Sequence, residues 1–225
     1  MKRKNTQIKK AASGPATAAL YLIVLLTAIT LACGANAQVF GQYTTATIAS
    51  EGEGGLFTAV GKDQFGTGAM ARFLINRKSD FGIKLGFNRL SGLNSIGISS
   101  DLKYYLLGEG STMPVDMAID ISLGHFRAED ISRSVAGFAL FVSGTLVADT
   151  EVPVEPYGSI GLYTSFLHNG DLCEGLDPTC SDNDTDTEII FHGGARIMIS
   201  DEYQFLLEIK IDGRTTFGAA INIIF

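Results

Sequence analysis

Three histidines, His125, His168 and His192, are the side chains best suited to moving protons near neutral pH. A general base also needs an acid to orient it and a nucleophile within reach. The stretch Phe166-Leu167-His168-Asn169-Gly170 supplies neither. Strand alternation sends His192 to one face and His125 and His168 to the other, so no catalytic residue is assigned and no enzyme is expected. The run Asp182-Asn183-Asp184-Thr185-Asp186, followed by Glu188, offers hard cations such as Ca²⁺ several carboxyl oxygens. Thr187 and Gly193 stand where a helix–loop–helix calcium loop needs Gly and Glu. Asp182, Asp184 and Asp186 are therefore either a loose Ca²⁺ site or a solvated acidic loop, and no other cofactor is expected. Cys173 and Cys180 lie just before it, between Gly170-Asp171 and Ser181-Asp182, and would form one disulfide in an oxidising compartment. No local histidine or further cysteine completes a zinc set.

The remaining charges acquire meaning from the elements that carry them. Period-two alternation bounded by turn residues predicts ten strands, near 42–50, 67–76, 81–90, 96–107, 115–127, 134–149, 156–168, 188–200, 203–212 and 214–225. Placing the apolar set of each strand outward puts Arg72, Lys84, Lys103, Arg196 and Lys210 inside, together with Asp101, Asp116, Asp120, Glu208 and Asp212. Five positive groups face five negative ones. Buried charges of this kind are tolerated when paired and hydrogen-bonded, which predicts a lumen filled by side chains. A selective pore would show a ring of one sign. Gly137, Ala139, Ser143 and Thr145 on the inward side of the sixth strand either leave a gap or make room for Arg and Tyr from facing strands.

Lys2, Arg3, Lys4, Lys9 and Lys10 precede the apolar stretch Ala16 to Ala32 and the triplet Ala35-Asn36-Ala37. That order predicts a secretory leader cut after Ala37, leaving one domain over 38–225. Cys33 offers a competing lipoprotein reading, with Thr30 where a lipobox normally has Leu. Cleavage removes five basic residues and no acid from 17 basic and 24 acidic ones, leaving a net charge of −12. Nucleic acid is not an expected partner. No stretch after residue 37 approaches the roughly 20 apolar residues of a membrane helix, so a membrane-spanning chain would have to be a closed barrel. Sorting connections by parity predicts short turns on one side and two tall loops on the other, Glu51 to Gly66 and Asn169 to Thr187. The Glu51-Gly52-Glu53-Gly54-Gly55 stretch is expected at a mobile outer tip.

In the last strand, Phe217, Ala219, Ile221, Ile223 and Phe225 share one face and Thr216, Gly218, Ala220 and Asn222 the other. A terminal Phe on such a strand resembles the assembly signal of outer-membrane barrels. With Asp101-Leu102-Lys103-Tyr104-Tyr105, Pro156-Tyr157-Gly158 through Gly161, Gly193-Gly194-Ala195-Arg196 and Leu207-Glu208-Ile209, the chain resembles the small outer-membrane β-barrel superfamily that includes OmpA-like and OmpW-like barrels. The resemblance implies an all-β, transmembrane, antiparallel up-and-down barrel in a Gram-negative outer membrane. Ten strands are expected, and eight is the alternative. It also implies contact with membrane lipid and lipopolysaccharide, and with periplasmic chaperones and the barrel assembly machinery during insertion. The expected role is structural or surface-interacting, through the stapled acidic loop. A small-solute channel of OmpW type is the alternative, and a rim lipid-modifying enzyme the third reading.

Overall fold

Ten strands with inward and outward faces can satisfy every interior backbone group only by closing on themselves. A computed structural model of the chain shows that closure. It describes residues 40–49, 52–62, 64–90, 93–107, 115–128, 131–144, 152–169 and 183–225. The leader, Cys33, Cys173, Cys180 and Asp182 lie outside the described residues, as does the side chain of Asp184.

The strands are β1 (Glu53–Gly61), β2 (Gln64–Asn76), β3 (Ser79–Leu90), β4 (Leu93–Leu107), β5 (Asp116–Ala128), β6 (Ile131–Ser143), β7 (Val154–Asn169), β8 (Asn183–Met198), β9 (Tyr203–Ile211) and β10 (Thr215–Ile224). Each pairs antiparallel with its sequence neighbours, and β1 closes the barrel on β10 from Glu53↔Ile224 to Gly61↔Thr216. Gly52 and Phe225 exchange backbone hydrogen bonds at 3.1 and 2.9 Å where the two ends of the wall meet. That rim is called the near end below, and the opposite one the far end. No helix among the described residues is long and apolar enough to cross a membrane.

Nine of the predicted strands are present, seven of them within three residues; the sixth ends at Ser143 and not at 149, with Thr145 outside the described residues, and the eighth begins at Asn183 and not at 188. The first is corrected. Residues 42–50 form no strand; the wall begins at Glu53, in the stretch expected to be a tall loop. The reason is visible in the side chains. Neither Tyr43, Thr45, Thr47, Ala49 nor Gln42, Thr44, Ala46, Ile48 makes a face apolar enough for a barrel exterior. In β1, by contrast, Leu56 and Val60 turn outward while Phe57 and Ala59 turn inward. Gly52, Glu53, Gly54 and Gly55 therefore sit at the near end, beside Phe225, on the rim opposite the 170–182 connection with which that stretch was expected to share a side.

The connection lengths are corrected too. Far-end connections at 62–63, 91–92, 129–130 and 212–214 are short, and 170–182 is the long one. Near-end connections include two longer ones, 108–115 and 144–153. The far rim is lopsided through register and not through two tall loops. β8 pairs with β9 only from Phe191↔Ile211 onward, so residues 183–190 continue past β9 beside β7.

Alternation sorts the wall cleanly. Leu85, Phe87, Ile98, Leu102, Ile121, Leu123, Phe138, Ile160, Leu162, Leu207, Ile209, Phe217 and Ile221 are exposed on the outside. Asp80, Lys84, Asp101, Lys103, Asp120, Glu155, Glu208 and Lys210 are buried on the inside. This inverts a soluble domain, and apolar-out, polar-in strands are the pattern of a barrel in lipid.

Candidate functional site

The lumen is occupied by the chain itself. Residues 40–49 (Phe-Gly-Gln-Tyr-Thr-Thr-Ala-Thr-Ile-Ala) run inside the wall without joining its ladders, and all but Thr47 and Ile48 are buried. The segment carries no charge, so it enters a charged interior without adding an ion to be paired. Its course is fixed by contacts. Phe40 lies in the far half, edge-on to Phe57 and Phe126 with ring centroids 5.2 Å from each. Ala49 lies toward the near end, where its backbone N–H donates to Asp80 Oδ2 at 3.0 Å.

Glu208 on β9 grips the middle of the segment. Its two oxygens accept the backbone N–H of Gln42 at 3.0 Å and of Tyr43 at 2.9 Å. The same carboxylate accepts the Tyr157 hydroxyl at 3.0 Å and lies 3.0 Å from His192 Nδ1. Tyr43 turns the chain with φ 48°, a left-handed conformation that costs a non-glycine residue about 1–2 kcal/mol. The Glu208 grip, a stacked ring contact with Phe57 at 5.1 Å and a hydroxyl bond to the Thr58 carbonyl at 3.1 Å hold it there. Gln42 Nε2 donates to the Tyr163 hydroxyl at 2.6 Å.

Lys103 on β4 grips the second half. Its ammonium donates to Thr44 Oγ1 at 2.9 Å, to the Thr45 carbonyl at 2.9 Å and to the Thr47 carbonyl at 2.7 Å. Arg196 on β8 donates to Thr47 Oγ1 at 2.6 Å while paired with Glu155, which also accepts from Ser143 at 2.6 Å.

Around these grips the wall charges pair among themselves. Arg72 bridges Asp80 and Asp101, the latter at 2.5 Å. Lys84 reaches Asp101 at 3.4 Å, Lys103 reaches Asp80 at 3.3 Å and Lys210 reaches Asp212 at 2.7 Å. The expected inward set is thus brought together, with two corrections. Asp116 is only half-buried and accepts the Tyr105 hydroxyl at 2.5 Å. Asp120 is buried among Asp101, Arg72, Lys84 and Lys103, with no hydrogen bond from a described residue. The five-to-five balance also gives way to an acidic excess, because Asp80, Glu155 and Glu188 face inward as well. Asp80 and Glu155 were missed because β3 and β7 each begin two residues before the alternation becomes legible.

Two small cavities measure about 10 and 20 Å³, the first beside Tyr43, Arg72 and Lys84, the second beside Phe40, Asp101 and Phe126. Each is close to the volume that admits a single water. The small residues of β6 make room for facing rings: a Cβ on Gly137 would strike the Tyr163 ring, and one on Gly86 of β3 would strike Phe40.

The other sequence candidates do not converge. His192 is buried on Glu208, whereas His125 and His168 are exposed on the outward face. His125 Nδ1 lies 3.1 Å from Ser134 Oγ across β5 and β6. Asp186 is half-buried on β8, and no cluster of three metal-ligating His, Cys, Asp or Glu occurs among the described residues. Phe217, Ile221, Ile223 and Phe225 are exposed on the outward face of β10, with Ala219 half-exposed between them.

No protein-family model matches the sequence, and no curated protein does. Solved structures are similar in shape. A bacterial polysaccharide outer-membrane secretin is 14% identical with a TM-score of 0.45, over 72% of this chain and 57% of its own. The chain therefore spans little more than half of that secretin. KdgM porin in complex with disordered oligogalacturonate is 8% identical with a TM-score of 0.42, over 77% of this chain and 99% of its own. Acinetobacter baumannii outer membrane protein Omp33 is 10% identical with a TM-score of 0.35, over 79% and 99%. All three are named as outer-membrane proteins or porins, and at these identities the likeness concerns the barrel fold alone. The assignment of a closed ten-strand antiparallel barrel rests on its own strand order.

Proposed function

We infer that the chain is an integral barrel of a Gram-negative outer membrane, non-enzymatic, whose lumen is shut at rest by its own residues 40–49. The observation that carries this reading is the pairing of an apolar exterior with an interior closed by an uncharged segment that Glu208 and Lys103 hold. On this reading the near end is periplasmic and the far end faces the environment. Membrane lipid and lipopolysaccharide surround the wall, periplasmic chaperones and the assembly machinery deliver it, and the Phe217 to Phe225 face is the assembly signal. The 170–182 connection, with Cys173 and Cys180, is the surface-contacting loop, and Ca²⁺ at Asp182, Asp184 and Asp186 stays a loose, screening interaction. Kinship with OmpA-like and OmpW-like barrels rests on the sequence resemblance.

The channel alternative draws support from the segment's lack of any ladder to the wall. Among the described residues, a rim enzyme has the His125–Ser134 pair in its favour. A boiled and unboiled gel of the outer-membrane fraction tests the barrel, because a closed barrel keeps its compact mobility until heated. The heat-dependent shift is the expected result, and soluble periplasmic protein without it would sink the membrane reading.

A further inference from the structure

We propose that the lumen is a binding site for an uncharged peptide that turns at its fourth residue, and that residues 40–49 are a ligand held in cis, exchangeable for the same peptide in trans. The proposal rests on the closed-barrel reading above and concerns what the lumen recognises. Three features of the site carry it. First, the wall reads the segment's backbone as well as its side chains: Glu208 takes two consecutive N–H groups, Asp80 a third, and Lys103 two carbonyls. Such contacts fit any chain of the same course, while side-chain pockets supply selectivity. Second, those pockets are specific. Phe57 and Phe126 receive an aromatic ring, Tyr163 an amide, and Lys103, Arg196 and Glu155 a run of hydroxyls. Third, the wall remains paired without the segment, because Arg72 with Asp80 and Asp101, Lys103 with Asp80, and Arg196 with Glu155 bridge wall to wall. Departure of the segment would hydrate a paired surface instead of stranding ions.

The cis segment sits next to its site on a short tether, at an effective concentration of at least the order of millimolar, so added peptide should bind the unaltered protein poorly. Weakening the segment and leaving the wall intact should open the site. The experiment uses full-length protein carrying Phe40→Ala, Tyr43→Ala and Thr47→Ala, with the heat-dependent gel shift confirming the barrel. The probe is a fluorophore-labelled synthetic peptide of residues 40–49. The expected result is saturable binding about tenfold or more tighter than to unaltered protein, weakened about tenfold by adding Glu208→Ala, and absent for a scrambled peptide. A heat-shifting variant that ignores the peptide, or binds the scrambled one equally, overturns the proposal. Should the triple variant give no heat shift, hydrogen exchange on the unaltered protein decides. Amides of Gln42, Tyr43 and Ala49 exchanging at least about tenfold faster than those of Ile119 and Leu162 support exchange of the segment with the wall intact, and equal protection overturns it. Steady conductance of the unaltered protein would instead count against closure at rest.

Discussion

Glu208 and Lys103 hold the same segment in opposite ways, and the contrast shows where closure is vulnerable. Glu208 is the one group that takes the backbone of its stretch: four donors, the N–H groups of Gln42 and Tyr43, the Tyr157 hydroxyl and His192, converge on one carboxylate, while Tyr163, Thr58 and Phe57 hold only side chains there. Lys103 works within a redundant set, since Arg196 also holds Thr47, Asp80 holds Ala49, and Arg72 shares Asp80 with Lys103. The acidic grip also falls beside Tyr43, the one non-glycine residue with a left-handed backbone among the described residues. A hub whose removal orphans several buried donors should matter more than one whose neighbours stay in place.

The largest expected effect is therefore Glu208→Ala, which should cost about 3–5 kcal/mol of barrel stability in a urea titration followed by the heat-dependent gel shift. Glu208→Gln, which keeps one acceptor, should lose roughly half of that. Lys103→Met should cost about 2 kcal/mol, because the Thr47 hydroxyl and Ala49 keep their wall partners. If Lys103→Met proved as damaging as Glu208→Ala, the distinction between hub and redundant set would be broken. Tyr43→Phe removes only the bond to the Thr58 carbonyl and keeps the stacked ring, so about 1 kcal/mol is expected in the same titration. Thr47→Ala should fall below about 1 kcal/mol, since Arg196 retains Glu155.

Most of the wall was legible in the sequence because a closed barrel that is apolar outside and polar inside forces strict alternation, and the inward positions of Lys84, Asp101, Lys103, Glu208 and Lys210 follow from parity alone. The lumen segment was not. Its Thr-rich stretch has strand propensity, and Glu51 to Gly55 looks like a loop, so alternation places the first strand one segment too early. A signal was present: neither face of 42–50 carries the large apolar set that lipid requires. Period-two reading also says nothing about a chain lying inside a barrel, because such a chain belongs to no sheet. Asp80 and Glu155 escaped for a local reason. Each sits on the opening turn of its strand, before the outward residues Phe81 and Ile160 reveal the phase.

Current through single molecules in a planar bilayer tests most directly whether residues 40–49 close the lumen. The unaltered, heat-shifting protein should give a closed baseline, and the Phe40→Ala, Tyr43→Ala, Thr47→Ala variant discrete openings. A steady open level in the unaltered protein, or equally closed traces from both, would contradict it.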